Sequence, residues 1–502
     1  MFGNERLYPS LGLPWATLVL AALISSVFYI LLSFNSHKSR LPVVNKYWWD
    51  FFQAKAKRDF DSRAEELIRL GFSKSSTAFE IVTSFGSRLI LSDKLADEVG
   101  MDNRFDQHKG IAPVNLVELR GFETMLSGHI HDAVPRPAAS ATSKRLVHLT
   151  KPFSEETADF LETEWTESPE WHELEVYPMA SRLVSQVLGR AFVGPRLCRD
   201  ADWLEISTTY VANRMTAAVA VQKWGSILQP IVHWFLPSCR RLRAQVQRAR
   251  ELLQPELDRV KDNAVEDETF TSLAWIHGYA QGLTYDAGLA HLRLTAVANH
   301  TTSDMLTKIL CRLCENPDLI QLLREEAIAA LRKGGLTVAS LQKMFLMESV
   351  MKESQRLEPF FLLSMFRYAT ETVDLAGGMT IPQGTLLAIA NPSRLDPSIY
   401  PDPEKFDGFR FVRMREDPKH AHLAAFTKTN HTSLNFGHGK QACPGRFIAV
   451  NEIKVALCHM LLKYDIELVA ECPSQLVRSG LLTVRCPGAK IRVRRRPEEV
   501  SI

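Results

Sequence analysis

The most uniform pattern along the chain is apolar. Residues 11–34 read LGLPWATLVLAALISSVFYILLSF and contain no charged side chain, slightly more than the ~20 residues a helix needs to cross a bilayer core. The run predicts a transmembrane helix, with Trp15 and Tyr29 towards the two interfaces. A cleaved leader would have an apolar core of only ~7–15 residues and a small-residue cleavage site, and no such site follows Phe34. Arg6 alone precedes the run, whereas Lys38, Arg40, Lys46, Lys55, Lys57 and Arg58 follow it. Because basic residues stay on the cytosolic side, everything downstream is expected in the cytosol. The predicted layout is a luminal N-terminus over 1–10, an anchor over 11–34, a linker over 35–45 and a soluble body over 46–502. In that topology the sequons at Asn299 and Asn430 stay bare.

Helical spacing dominates the body up to about residue 360. Residues 240–254 read as a helix that Pro255 breaks. Residues 285–315 lack proline, and roughly 30 residues at ~1.5 Å each give a helix of ~45 Å, long enough to cross a domain. Asn316-Pro317 is its expected stop. Between 365 and 410 glycine and proline punctuate short β-prone runs, ending in a loop rich in Pro and Asp over 391–403. A helix is predicted after Cys443, and a hairpin over 481–493. The expected class is mainly α with minor β, with no internal repeat.

Composition narrows the picture. The 502 residues carry a formal charge of +3, are 46% hydrophobic and 23% charged, and include 25 Gly and 25 Pro; these values exclude disorder, collagen and small disulfide scaffolds. Near-balanced charge argues against a dedicated nucleic-acid binder. The 8 Cys are scattered, which suits a reducing compartment. Cys311 and Cys314 form a C-x-x-C, but inside a helical pattern with no second ligand pair at zinc spacing. His129/His131 and His420/His422 are isolated pairs without a third ligand. Cys486-Pro487-Gly488 reads as a turn.

The chemistry concentrates at Phe436-Gly-His-Gly439-Lys-Gln-Ala-Cys443-Pro-Gly445-Arg446-Phe447. Glycines before the cysteine and Pro-Gly after it predict a tight loop feeding a helix. Cys443 then sits near a helix N-terminus, where N–H groups and the helix dipole favour a thiolate. Small neighbours let that sulfur approach a flat macrocycle, where a Cβ would collide. This F-x-x-G-x-x-x-C-x-G pattern resembles the haem-binding signature of the cytochrome P450 superfamily, and the resemblance runs from about residue 40 to the end. Glu353-Ser354-Gln355-Arg356 is similar to the family's E-x-x-R pair, whose i,i+3 spacing puts both side chains on one helical face. Arg410 matches the third member of that network, Arg367 a haem-propionate arginine, and Thr301 the threonine of the long oxygen-side helix.

The resemblance implies a P450 fold behind the anchor, haem b held through the Cys443 thiolate, and Phe436, Gly439 and Gly445 shaping the haem loop. It also implies insertion of one oxygen atom into an apolar small molecule, with two electrons from an NADPH–cytochrome P450 reductase at the endoplasmic reticulum membrane. Lys440 and Arg446 are candidates for its docking face. Glu353, Arg356 and Arg410 are expected to be structural. Residues 360–363 and Leu481 with Leu482 are expected to line the substrate pocket. Two positions depart from the family pattern. His300 stands where an acid usually precedes the threonine, and reads either as a proton shuttle or as a helix-packing histidine; Thr302 is a further hydroxyl that shares Thr301's work. Gln441 replaces a frequent basic residue, with Lys440 or Arg446 as substitutes. The wording around Thr301 and Cys443 resembles fungal members that tailor terpenoids, polyketides or alkaloids. Two alternatives remain at this level, a rearranging haem-thiolate enzyme that needs no reductase and a non-catalytic haem binder.

Overall fold

The computed structural model describes residues 41–50, 53–125, 145–225, 227–262, 271–280, 285–469, 476–485 and 488–502. The expected 1–10 and 11–34 segments, and the linker as far as residue 40, lie outside the described residues, as do His129, His131, Cys486 and Pro487. Among the described residues no helix is long and apolar enough to cross a membrane.

Helices predominate, as expected. In chain order those that build the site are α1 (Ala54–Lys74), α2 (Ala96–Met101), α3 (Gln107–Asn115), α4 (Leu146–Glu164), α5 (Val176–Phe192), α6 (Ala201–Gln222), α7 (Pro237–Lys261), α8 (Ala287–Glu315), α9 (Pro317–Leu331), α10 (Phe345–Leu357) and α11 (Arg446–Lys463). The strands are β1 (Ala78–Thr83), β2 (Gly86–Leu91), β3 (Phe105–Asp106), β4 (His172–Glu175), β5 (Leu363–Ala369), β6 (Val373–Asp374), β7 (Thr380–Ile381), β8 (Leu386–Ala390), β9 (Tyr464–Leu468), β10 (Leu476–Ser479), β11 (Leu482–Arg485) and β12 (Lys490–Arg495). One sheet runs β1-β2-β8-β5-β3, with β2 and β8 parallel through Leu89 and Leu387. A second runs β4-β12-β9, and β10 with β11 and β6 with β7 make two small ribbons.

The centre is α8, 29 residues long and ~44 Å at 1.5 Å per residue. Asp286 starts it by accepting the Leu289 N–H at 2.9 Å, an N-cap. Asn316 ends it, and Pro317 opens α9, where a missing N–H costs nothing. Packed against α5, α7 and α10, α8 is buried on almost every side; one apolar core joins it to α4 through α11. Asn299 ties it to two neighbours: the carboxamide, fully buried, donates to Ser185 Oγ of α5 at 2.6 Å and to the Ser207 carbonyl of α6 at 2.9 Å.

Two sequence expectations need correction. Pro255 does not break its helix, because α7 runs through it to Lys261. The proline costs ~3 kcal/mol, but Leu242, Val246, Leu253 and Leu257 keep one buried face on both sides of it, and each such burial returns ~1.5–3 kcal/mol. Nor do residues 481–493 form a hairpin. Leu482–Arg485 pairs backwards with Leu476–Ser479, while Lys490–Arg495 lies between β4 and β9. Alternation showed two strands without showing their partners, since period-two patterning fixes a face and not a neighbour.

Candidate functional site

Cys443 is held by backbone, from both sides. Its N–H donates to the Phe436 carbonyl at 2.7 Å, closing the loop into a ring, and three residues later α11 begins with Gly445 as its N-cap. Gly437 and Gly439 both take positive φ, at 66° and 73°, a conformation glycine adopts without penalty. The Phe436 ring meets Phe426 edge-on at 5.3 Å between centroids. The sulfur is half-buried.

The structure adds a second requirement for glycine at position 439, beside the approach to a macrocycle. A Cβ there would lie 2.3 Å from the Gly100 carbonyl oxygen, so the close approach is between this loop and α2. Gly445 is the residue near the sulfur, where a Cβ would stand 4.0 Å from Cys443 Sγ, an ordinary contact. G439A should therefore destabilise the protein by ~3 kcal/mol or more, through clash and positive φ, whereas G445A should cost under ~1 kcal/mol. Thermal unfolding of the two variants measures this, and equal shifts would refute the account.

On α8, Val297 is 49% exposed and Thr301 is exposed as well, in a helix whose flanking turns are buried. Thr301 Oγ1 donates back to the Val297 carbonyl at 3.0 Å. Thr302 is 5% exposed and points into the core on a different face, so the structure does not bring it together with Thr301. His300 turns towards α5, where its Nδ1 pairs with the Tyr177 hydroxyl at 2.9 Å. Burial pushes the His300 pKa down to about 4 and the Tyr177 pKa up to about 12, so both are neutral at pH 7. Phe361, 46% exposed, and Phe447, 40% exposed, are further large apolar side chains with open faces in the segments beside this strip and the thiol loop.

Glu353, Arg356 and Arg410 come together in the core, at 0%, 4% and 6% exposure. The Arg356 guanidinium grips Glu353 with two bonds of 2.7 Å, and Arg410 Nε adds a third at 2.9 Å. Remaining N–H groups go to loop carbonyls. Arg356 Nη1 donates to Arg394 and Pro403 at 2.6 and 2.7 Å; Arg410 Nη1 donates to Pro401 at 2.6 Å. The network thus pins the proline-rich loop that leads to the thiol.

Arg367 is buried on β5 and donates to the Phe366 carbonyl at 2.9 Å. Beside it the sequence reading missed Arg88 of β2, 1% exposed, stacked at 5.2 Å over Phe366 and donating to the Gly110 carbonyl at 3.2 Å. Arg88 Nη2 is buried with no hydrogen-bond partner, and burial pulls its pKa down to about 10. The substitutes expected for Gln441 are engaged elsewhere: Lys440 with Asn103 Oδ1 at 3.0 Å, Arg446 with the Cys443 and Thr427 carbonyls at 2.6 and 3.1 Å. Cys311 and Cys314 lie on α8 with the first buried, His420 pairs with Asp417 at 2.6 Å, and no group of metal-ligating side chains assembles among the described residues.

A half-buried cysteine at a helix N-terminus, an apolar strip carrying one hydroxyl, and a buried guanidinium with an unpaired nitrogen suit a flat apolar macrocycle with a sulfur-ligated metal and carboxylate edges. The family model described as Cytochrome P450 matches residues 137–490, and the chain belongs to that family. It is 77% identical to the cytochrome P450 monooxygenase notH of Aspergillus sp., with 100% of each chain covered. It is 50% identical to the cytochrome P450 monooxygenase roqO of Penicillium rubens, over 95% of this chain and 96% of that one. It is 47% identical to the fumitremorgin C monooxygenase of Neosartorya fischeri, over 98% of each. Among solved structures, the haem domain of a mutant cytochrome P450 matches with a TM-score of 0.71 over 91% of this chain and 98% of that one; at 18% identity it bears on the fold alone. The protein is a cytochrome P450 monooxygenase, of a family that carries haem iron on a cysteine thiolate. Monooxygenation stands over the rearranging and non-catalytic alternatives.

Proposed function

We propose that this enzyme performs an oxidative tailoring step on an apolar small molecule in fungal secondary metabolism, with Cys443 as the thiolate ligand of the haem and Thr301 on its oxygen side. The observation that carries the reading is the Cys443 loop, clamped to the Phe436 carbonyl at 2.7 Å and to α2 through paired glycines. Bound haem supplies the activation of dioxygen, one atom of which enters the substrate. The chain's own residues do the rest. Gly445 leaves room beside the sulfur, and Phe436 closes the loop through its carbonyl. Thr301 keeps a hydroxyl proton on an otherwise apolar strip. Arg367, with Arg88, offers guanidinium donors for carboxylate edges. Glu353, Arg356 and Arg410 set the loop. His300, neutral and bonded to Tyr177, acts by packing α8 on α5, and of its two sequence readings this one has the geometry behind it.

The likeness to a relative named for fumitremorgin C makes that compound the first substrate to try, with the alkaloid, terpenoid and polyketide options all kept. The anchor at 11–34, with 46–502 as the cytosolic catalytic domain at the endoplasmic reticulum, rests on the charge-free run and on exposed apolar side chains. Trp48 is 88% exposed, and Trp224, Ile227, Leu228, Ile231, Trp234 and Phe235 are between 44% and 87% exposed within one short stretch. Patches of that kind mark contact with lipid or a partner. Electrons come from a separate NADPH–cytochrome P450 reductase, with Lys440 and Arg446 on the thiol side. Co-expression with such a reductase, followed by untargeted metabolite comparison in hosts fed fumitremorgin C and a panel of apolar alkaloids, terpenoids and polyketides, tests the proposal. A product one oxygen heavier, formed only with NADPH and reductase, is expected. Its absence across those substrates would overturn the substrate reading, and turnover without reductase would overturn the electron route.

A further inference from the structure

A buried charged pair closes the strip that Val297 and Thr301 open. Asp304 and Lys308 follow Thr301 by one and two turns, so all four side chains fall on one face of α8. Lys308 is 0% and Asp304 2% exposed, and the ammonium lies 2.5 Å from Asp304 Oδ2. Its second partner is on another element: Lys308 Nζ donates to the Thr483 carbonyl of β11 at 2.9 Å. The ammonium also stands 6.0 Å from the centroid of the Phe360 ring.

Thr483 is buried behind the segments expected to line the pocket and is bonded to one of them. Its N–H donates to the Phe360 carbonyl at 3.1 Å, the Leu362 N–H donates to Leu481 at 2.9 Å, and Phe361 pairs with Leu482 as an antiparallel bridge. The two apolar segments expected to line the pocket are therefore hydrogen-bonded to each other along their backbones. The β10-β11 ribbon has only two strands, and such a ribbon is marginal by itself. At its turn the Gly480 N–H donates to the Asp61 carbonyl of α1 at 2.7 Å, and behind the turn the Thr483 carbonyl accepts from Lys308. A buried ion pair is seldom a better stabiliser than apolar packing. What this pair does that leucine would not is direct a donor at one carbonyl on a separate element.

We propose that Lys308, with Asp304 as its counter-ion, is a positioning residue that fixes the apolar wall of Leu481 and Leu482 relative to Thr301, and so decides how a bulky substrate lies against the oxygen-side strip. This rests on reading that wall as pocket lining. The variant Asp304→Asn/Lys308→Met removes both charges together, so that neither is left buried alone. Haem-loaded protein is titrated by absorbance with imidazole, which reaches only the metal, and with clotrimazole, whose three aryl groups also fill the space in front of it.

The wild type should bind clotrimazole at least ~100-fold more tightly than imidazole. The double variant should keep its haem content and its imidazole affinity within ~2-fold, while clotrimazole binding weakens by ~10-fold or more. Loss of fold alone would not separate the two ligands. Should the methionine variant not take up haem, Asp304→Asn/Lys308→Gln, which still offers an N–H towards Thr483, is read in the same way and should weaken clotrimazole selectively by a smaller factor. A wild type without preference for clotrimazole overturns the pocket wall and the strut with it. A wild-type preference that the folded methionine variant retains in full, or that the glutamine variant retains in full when Thr483 is also replaced by proline, overturns the strut alone.

Discussion

Cys443→Ser should yield a folded protein whose reduced, carbon monoxide-treated spectrum has lost its thiolate character and whose turnover falls by at least ~10³-fold, about 4 kcal/mol of barrier. Folding should survive because what closes the loop is the Cys443 N–H on the Phe436 carbonyl, a backbone bond that serine keeps. What disappears is the soft anionic ligand. A serine hydroxyl does not ionise near neutral pH, and a hydroxyl oxygen lacks the electron donation that a thiolate gives to iron. Circular dichroism and haem content report on folding, and the carbon monoxide spectrum reports on the ligand. A thiolate-type spectrum persisting in C443S would assign the ligand to another cysteine and would remove the basis of the proposed site.

The second large effect is expected at Glu353. Glu353→Ala leaves the Arg356 and Arg410 guanidiniums in the core without their shared carboxylate, at 4% and 6% exposure, and breaking a buried pair in this way costs ~3–5 kcal/mol. The loss should appear as failure to incorporate haem and not as a slower enzyme, because the same two arginines hold the carbonyls of Arg394, Pro401 and Pro403. Arg413→Ala is the control. Arg413 also pairs with a carboxylate, that of Asp407, but is 60% exposed, and exposed pairs contribute ~0–1 kcal/mol. Haem yield per folded protein, with thermal unfolding, measures both variants. A haem-replete E353A with near-normal stability would show the network to be dispensable.

The thiol loop was legible because its constraints are local. Glycines with positive φ, a proline and a cysteine at fixed offsets describe a turn wherever the rest of the chain goes. The length of α8 was legible for the same reason, since its cap at Asp286 and its stop at Asn316-Pro317 are written beside it. The strut was not. Nothing local in the sequence singles out Asp304 and Lys308, because what makes them unusual is burial by a β-ribbon some 175 residues further on. The signal that was available is the position of the pair within a helix long enough to cross the domain. Arg88 was missed likewise, because nothing local marks a strand arginine as buried. Pro255 misled because the rule for proline is local, whereas the apolar face that overrides it is packed by distant helices.

The sheet that carries β1 and β2 also bears on how the protein is made. Leu89 finds its parallel partner at Leu387, roughly 300 residues later, and ribosomes deliver ~5–20 residues per second. The hairpin of β1 and β2 therefore emerges tens of seconds before the strand that completes it, with the β2 edge open to wrong partners throughout. Chaperone supply during synthesis and slow induction at low temperature should govern the yield of soluble enzyme more strongly than any surface substitution, and chains truncated before residue 390 should aggregate.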